Sequence, residues 1–368
     1  MGKKIYSPLY LFFCVGYVIA LLGFMVYSYV LIDPNITFFN TVWWDKFRSL
    51  VVQIGYYHRD WSFGIYALLL AGLFYFHFLA LKLNISPVRW SVFVGFILLL
   101  SYPFLSHDFF NYLFDAKILT YYHLNPYLYR ALDFPQDHWL RFMHWTHRTY
   151  PYGPVFLAIT LVPSFVAAGK FLVDFLLFKA VWVGFYILAV WLLNKINTKT
   201  AIFFATQPLI LVEGLVNVHN DLIAVSLALV GAYFVFKKKT KITGTFFFLL
   251  SIGIKYMTTP ILFVTTENRY LAKAGALLLG ILFIYMSVTM EIQPWYFLAI
   301  FAFLPFFWKE IQKLELFFAG LLLCYYPYIR IGGWDSGEKI DLKHTIILIA
   351  VLLNGAYFFI WREKNVAA

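Results

Sequence analysis

Apolar runs of about twenty residues recur along the whole chain, separated by short basic clusters, and each is long enough to cross a bilayer's roughly 30 Å hydrocarbon layer as a helix. The pattern predicts an all-α, polytopic integral membrane protein of about ten to twelve helices, some of them short or re-entrant, forming one transmembrane domain over residues 1–368. The first run, residues 9–32, is too long for the apolar core of a cleaved signal, and no Ala-x-Ala site precedes Asp33. It reads as a retained span.

The basic clusters set the sidedness. Lys3/Lys4, Lys82/Arg89, Lys195/Lys199, Lys237 to Lys239 with Lys241, Arg269/Lys273, Lys309/Lys313 and Arg362/Lys364 read as cytoplasmic stops, so each segment between them must leave and return. Both termini then lie inside. Residues 33–60 fall outside, and a span over residues 90–105 exposes residues 106–154 as a large outer loop with helices lying at the interface. Between residue 154 and Lys195 a short apolar piece ends near Ala168 and a longer one covers 172–193. Only one of these can span. Between Lys241 and Arg269 two short pieces meet at Gly253-Ile254-Lys255-Tyr256, which reads as a hairpin turning part-way across; irregular backbone at that depth must be buried in protein or line a cavity. Residues 217–221, 291–296 and 330–343 are the remaining outer segments. Glu267, Glu310, Glu315 and Glu363 are assigned inside, and most other carboxylates outside.

Composition narrows the class. With 62% hydrophobic and 13% charged residues there is too little polar surface for a soluble domain. The net charge of +11 resides in the stop clusters, so the reading includes membrane lipids and no nucleic acid. Cys14 and Cys324 both lie within apolar runs, which argues against a disulfide framework.

Candidate chemistry concentrates in residues 106–154. Asp108 follows the end of a span beside His107, where a carboxylate is partly shielded yet reachable from outside and can accept a proton from a substrate hydroxyl. Its alternative is an N-cap for the helix beginning at Phe109. Lys255 is either a functional cation or a snorkelling one; unpaired at mid-membrane it costs about 3 kcal/mol. Asp221 can cap the helix that follows, His219 can be an ordinary interfacial histidine, and Trp295 with Tyr296 can belong to an aromatic belt. Tyr150, Tyr152 and their neighbouring prolines can form a rigid loop-to-helix junction. His138, His144 and His147 lack a third ligand at metal spacing and read as a solvated loop.

The ordered pattern changes the weight of these residues. Asp108-Phe109-Phe110-Asn111-Tyr112, Asp115-Ala116-Lys117, Asn125-Pro126-Tyr127 and Tyr150-Pro151-Tyr152-Gly153-Pro154 occur in this order within one loop. Asn217-Val218-His219-Asn220-Asp221, Lys255 and Gln293-Pro294-Trp295-Tyr296 follow. Over about residues 90–300 the chain resembles the GT-C glycosyltransferases, nearest to bacterial mannosyltransferases that use polyprenyl-phosphate-mannose. The resemblance implies an inverting transfer of a hexose, mannose by the nearest branch, to a lipid, glycan or protein hydroxyl on the outer face of the plasma membrane. It implies Asp108 as general base, with His107, Asn111, Tyr112, Asp115, Tyr150, Tyr152, Asn217, His219, Asn220, Asp221, Lys255, Gln293, Trp295 and Tyr296 about the substrates. Lys255, His219 and Arg330 are then candidates to face the leaving phosphate. Many family members carry an Asp-x-Asp or Glu-x-Asp pair where Ser106 stands here, so no metal or other cofactor is expected.

A transporter or lipid flippase is the rival class, since it also needs many spans, broken helices and a few buried charges. Transporters place essential ionisable groups near the midplane of related halves. Here the acids gather in outer segments and no internal repeat is visible, which favours an enzyme.

Overall fold

A computed structural model describes residues 7–264 and 268–366; Lys3, Lys4 and Glu267 lie outside the described residues. All regular structure within them is helical. Ser7 caps α1 (Pro8–Tyr27), accepting from the Tyr10 amide, and a 3-10 turn extends it to Leu31. Next come α2 (Val42–Val52), α3 (Arg59–Leu83), which ends on left-handed Asn84, and α4 (Pro87–Leu99). The loop region holds α5 (Asp108–Thr120), after which α6 (Pro154–Ala167), α7 (Phe171–Ile196), α8 (Thr198–Thr206) and α9 (Asp221–Tyr233) follow. The chain is completed by α10 (Lys241–Ile252), α11 (Arg269–Thr289), α12 (Trp308–Ile311), α13 (Glu315–Leu323) and α14 (Gly337–Val366).

Among the described residues five helices are long and apolar enough to cross a membrane: α1 with its extension, α3, α7, α11 and the 337–358 part of α14. Counted as one crossing, α8 and the wide π-helical turn Ile210–Val216 make a sixth that is broken, since the two meet at 63° around Gln207-Pro208. The protein is therefore a polytopic membrane protein. α6 and α10 are short, as the spacing of the basic clusters requires, and α10 turns back at Gly253 into the 3-10 helix Tyr256–Phe263.

Two expectations are corrected. The run over residues 90–105 is not one helix: Pro103 disfavours helical backbone at Tyr102, and α4 stops at Leu99. Residues 101–106 continue as irregular, buried chain whose amides find side-chain partners, Tyr102 N–H on Ser28 Oγ at 2.8 Å and Leu105 N–H on Asn217 Oδ1 at 3.2 Å. Residues 217–221, read as an exposed outer segment, are at most 2% exposed. The broken crossing leads into this turn, which sits inside the bundle against α5. From it springs α9, buried on every side from Asp221 to Ala232, as expected of a helix that is apolar all round.

Candidate active site

α5 is the roof of the candidate site. It forms where the loop was expected to carry an interfacial helix, but residues 109–118 are buried all round, polar ones included. The rest of the loop folds over them. Lys117 Nζ reaches Asp137 Oδ2 at 2.5 Å and lies 3.8 Å over the Trp139 ring, while Asn111 Nδ2 donates to the Trp145 carbonyl at 3.2 Å. Asp108 is the first helical residue rather than the cap; His107 occupies the cap position, and no side chain caps the helix. The Asp108 carboxylate is thus free to face the interior, with 16% of its side chain exposed.

The floor is the turn 217–221. Val218 is held at φ 62°, a left-handed conformation that strains a β-branched residue by about 1–3 kcal/mol. Its neighbours enforce it: Asn217 N–H donates to the Val212 carbonyl at 2.9 Å, His219 N–H to the Glu213 carbonyl at 3.1 Å, and Trp182 Nε1–H to the His219 carbonyl at 2.9 Å. His219 is thereby brought between two carboxylates, Nδ1 lying 3.9 Å from Asp108 and Nε2 3.4 Å from Glu213. Trp295 stacks on its ring at 3.9 Å.

Lys255 stands in the break between α10 and the following 3-10 helix. Its Nζ is 3.1 Å from Asp221 Oδ2 and lies over the rings of Tyr152 and Tyr296, at 6.0 and 5.6 Å. Gly153 makes this possible, because a Cβ there would sit 2.4 Å from the Gly253 carbonyl oxygen. The Tyr-Pro-Tyr-Gly-Pro turn consequently lies directly on the break that carries Lys255. Tyr112, Tyr150 and Tyr152 form an aromatic wall, Tyr152 lying 5.4 Å from Tyr112 and 5.5 Å from Tyr150. Gln293 accepts from buried Lys343 at 2.7 Å, which anchors the Pro294-Trp295-Tyr296 turn.

The electrostatics follow from burial. Burial pushes the Asp115 carboxyl up to about 8; the Arg148 guanidinium opposes the rise and Asp108 adds to it. His107 is stacked on His144 at 3.9 Å, and burial together with that neighbour holds its imidazole down at about 3. Among the described residues no group of three or more His, Cys, Asp or Glu side chains is placed to hold a metal.

Residues 38–268, containing most of this constellation, match the description "Alpha-(1->6)-mannopyranosyltransferase, N-terminal domain" of the MptA_B family. The chain belongs to this family. No curated protein and no solved structure matches it. Family membership makes the protein a mannosyltransferase, as the resemblance read from the loop implied, and sets the transporter reading aside. Gln293, Trp295, Tyr296 and Arg330 lie beyond the matched region.

The mannosyltransferase fold brings together Asp108, Asn217, His219, Asp221, Lys255, Tyr152, Trp295 and Tyr296 through the contacts above. Asn220 is fully buried beside them, with neither polar side-chain atom partnered. Arg330 is held elsewhere, in an ion pair with Asp60. Three charged residues escaped the sequence reading. Glu213 is fully buried under His219, Arg148 lies 4.8 Å over Trp145 and acts on Asp115, and Lys179 is fully buried in α7. The signal for Glu213 and Lys179 was available: each interrupts an apolar run, and ionisable residues inside a membrane segment mark function or a specific partner.

Proposed function

We propose that this mannosyltransferase is of the GT-C type and moves mannose from a polyprenyl phosphate to an acceptor hydroxyl at the outer face of the membrane, inverting the anomeric centre, with residues 106–154 as the catalytic loop. The observation that carries this reading is the placing of a partly exposed carboxylate, Asp108, and a cation in an aromatic cage, Lys255, around one buried floor. Asp108 is the general base for the acceptor. Lys255 faces the leaving phosphate, where the second negative charge that develops as the bond to C1 breaks can be met by a side-chain cation. Asp115, neutral below about 8, offers a hydroxyl to sugar oxygens as well as accepting from them.

The lipid part of the donor has support of its own. An open-sided apolar cleft of about 740 Å³ runs between α6, α7, α9 and α10, lined by Val155, Ile159, Phe185 and Leu250 among others. Val155 abuts Gly253, two residues before Lys255, so a prenyl chain in the cleft would deliver its phosphate to the lysine. An inverting transfer is a single displacement, which needs a base on the acceptor and no protein nucleophile.

The test is transfer from labelled polyprenyl-phosphate-mannose in membranes carrying the protein. Asp108→Asn keeps size but cannot take up a proton; it should lower turnover by about 10² to 10⁴ with donor binding unchanged. Lys255→Met should weaken donor binding as well as turnover. Retention of more than about a tenth of wild-type transfer by Asp108→Asn would remove the base assignment.

A further inference from the structure

His219 is fully buried, and neither ring nitrogen has a hydrogen-bond partner. A buried imidazole with two empty nitrogens is costly unless another state fills them. The surroundings define that state: Nδ1 faces Asp108 Oδ2 at 3.9 Å and Nε2 faces Glu213 Oε2 at 3.4 Å, so the imidazolium has a carboxylate for each N–H. Side-chain exposure falls from 16% at Asp108 to 0% at His219 and Glu213, a path leading inward from the cavity. The ring is fixed on this path by Trp295 stacked on it and by the strained turn at Val218. Glu213 is fixed in turn by Asn217 Nδ2, which donates to Oε2 at 3.2 Å.

We propose that His219 receives the proton that Asp108 takes from the acceptor hydroxyl, and that Glu213 is its positioning residue. The inference rests on the reading of Asp108 as base. The relay requires the tautomer with its proton on Nε2 toward Glu213 and its lone pair on Nδ1 toward Asp108. During transfer the acceptor oxygen bonds to mannose C1 while the bond from C1 to the donor phosphate breaks, the phosphate leaving with the electron pair. The hydroxyl proton passes to Asp108 and on to Nδ1. Asp108 is again a carboxylate, and the imidazolium stays between two anions until the proton escapes to water after product release. Closing each gap to hydrogen-bond length takes about 1 Å or less, the tightening that catalytic contacts undergo when substrate binds.

Other groups surround the relay: Asp221 with its partner Lys255, Lys179 of α7, whose Nζ holds the Leu215 carbonyl at 3.0 Å, His144 facing Asp108, and Tyr325 against Glu213. The test therefore reads displacement of the pH profile rather than its absolute position. Turnover is measured against pH for the full chain in nanodiscs, with polyprenyl-phosphate-mannose as donor and octyl α-mannoside as acceptor. Glu213→Gln removes the anion that favours imidazolium, so it should lower kcat at least about tenfold, move the acid limb to lower pH and leave donor binding unchanged. His219→Gln can no longer take a proton; a similar loss and displacement are expected. A variant that keeps kcat within about twofold of wild type, or loses turnover with the acid limb in place, overturns the relay. If Glu213→Gln fails to yield folded protein by thermal unfolding, His219→Gln decides on the same two criteria. Failure of the base reading is distinguishable, because only then does Asp108→Asn keep more than about a tenth of wild-type transfer.

Discussion

Asp115 couples the 106–154 loop to pH. Unfolded, it would lose its proton near the ordinary carboxylate value of 3.8, whereas the fold keeps that proton up to about 8. Between those limits the native state binds more protons than the unfolded one, so stability falls as pH rises through the window. His107 acts in the opposite sense. Its imidazole stays neutral in the fold down to about 3 against an ordinary 6.5, so stability also falls as pH drops below 6.5. Above that value Asp115 stands clear of His107. Asp115→Asn should therefore flatten the loss in thermal midpoint of the solubilised protein between pH 6.5 and about 8. An equally steep loss in the variant would show that another group is responsible.

At the scale of elements, the site depends on helices that stop early. The broken crossing leaves the carbonyls of Leu215 and Val216 without helical partners deep in the bundle, and Lys179 Nζ answers both, at 3.0 and 3.4 Å, together with Ser101 Oγ at 2.8 Å. Buried carbonyls left without partners cost roughly 1–3 kcal/mol each. Lys179→Met preserves bulk but strands them. It should lower the thermal midpoint by several degrees while a Lys195→Met control on the same helix leaves it nearly unchanged; a midpoint unaffected by Lys179→Met would show that the broken crossing holds without this support.

For the whole molecule, the common position of Asp108, Asp221 and Lys255 means that the sidedness of one loop decides that of the site. Gln136, exposed in the loop, reports it. A cysteine placed there should react with an impermeant maleimide in intact cells, as the positive-inside pattern requires. Reaction only after permeabilisation would move loop and site to the cytoplasmic side together.

The sequence by itself determined the membrane class, because twenty-residue apolar runs have few alternatives in a bilayer. It also determined the short α6 and the break at Lys255, since the basic clusters leave too little chain for further full crossings. The ordered loop pattern around Asp108 was legible for the same local reason, and it led to the family. Only the tertiary structure decided that residues 217–221 are a buried floor rather than an exposed segment, and that Glu213 belongs beneath His219. Hydropathy along a chain reports how deep a residue lies but not which side chain it faces. A helix that bends by 63° at Gln207-Pro208 reads like one that crosses, and the contacts of Asp108 with His219 and of Tyr152 with Lys255 each span more than a hundred residues of sequence.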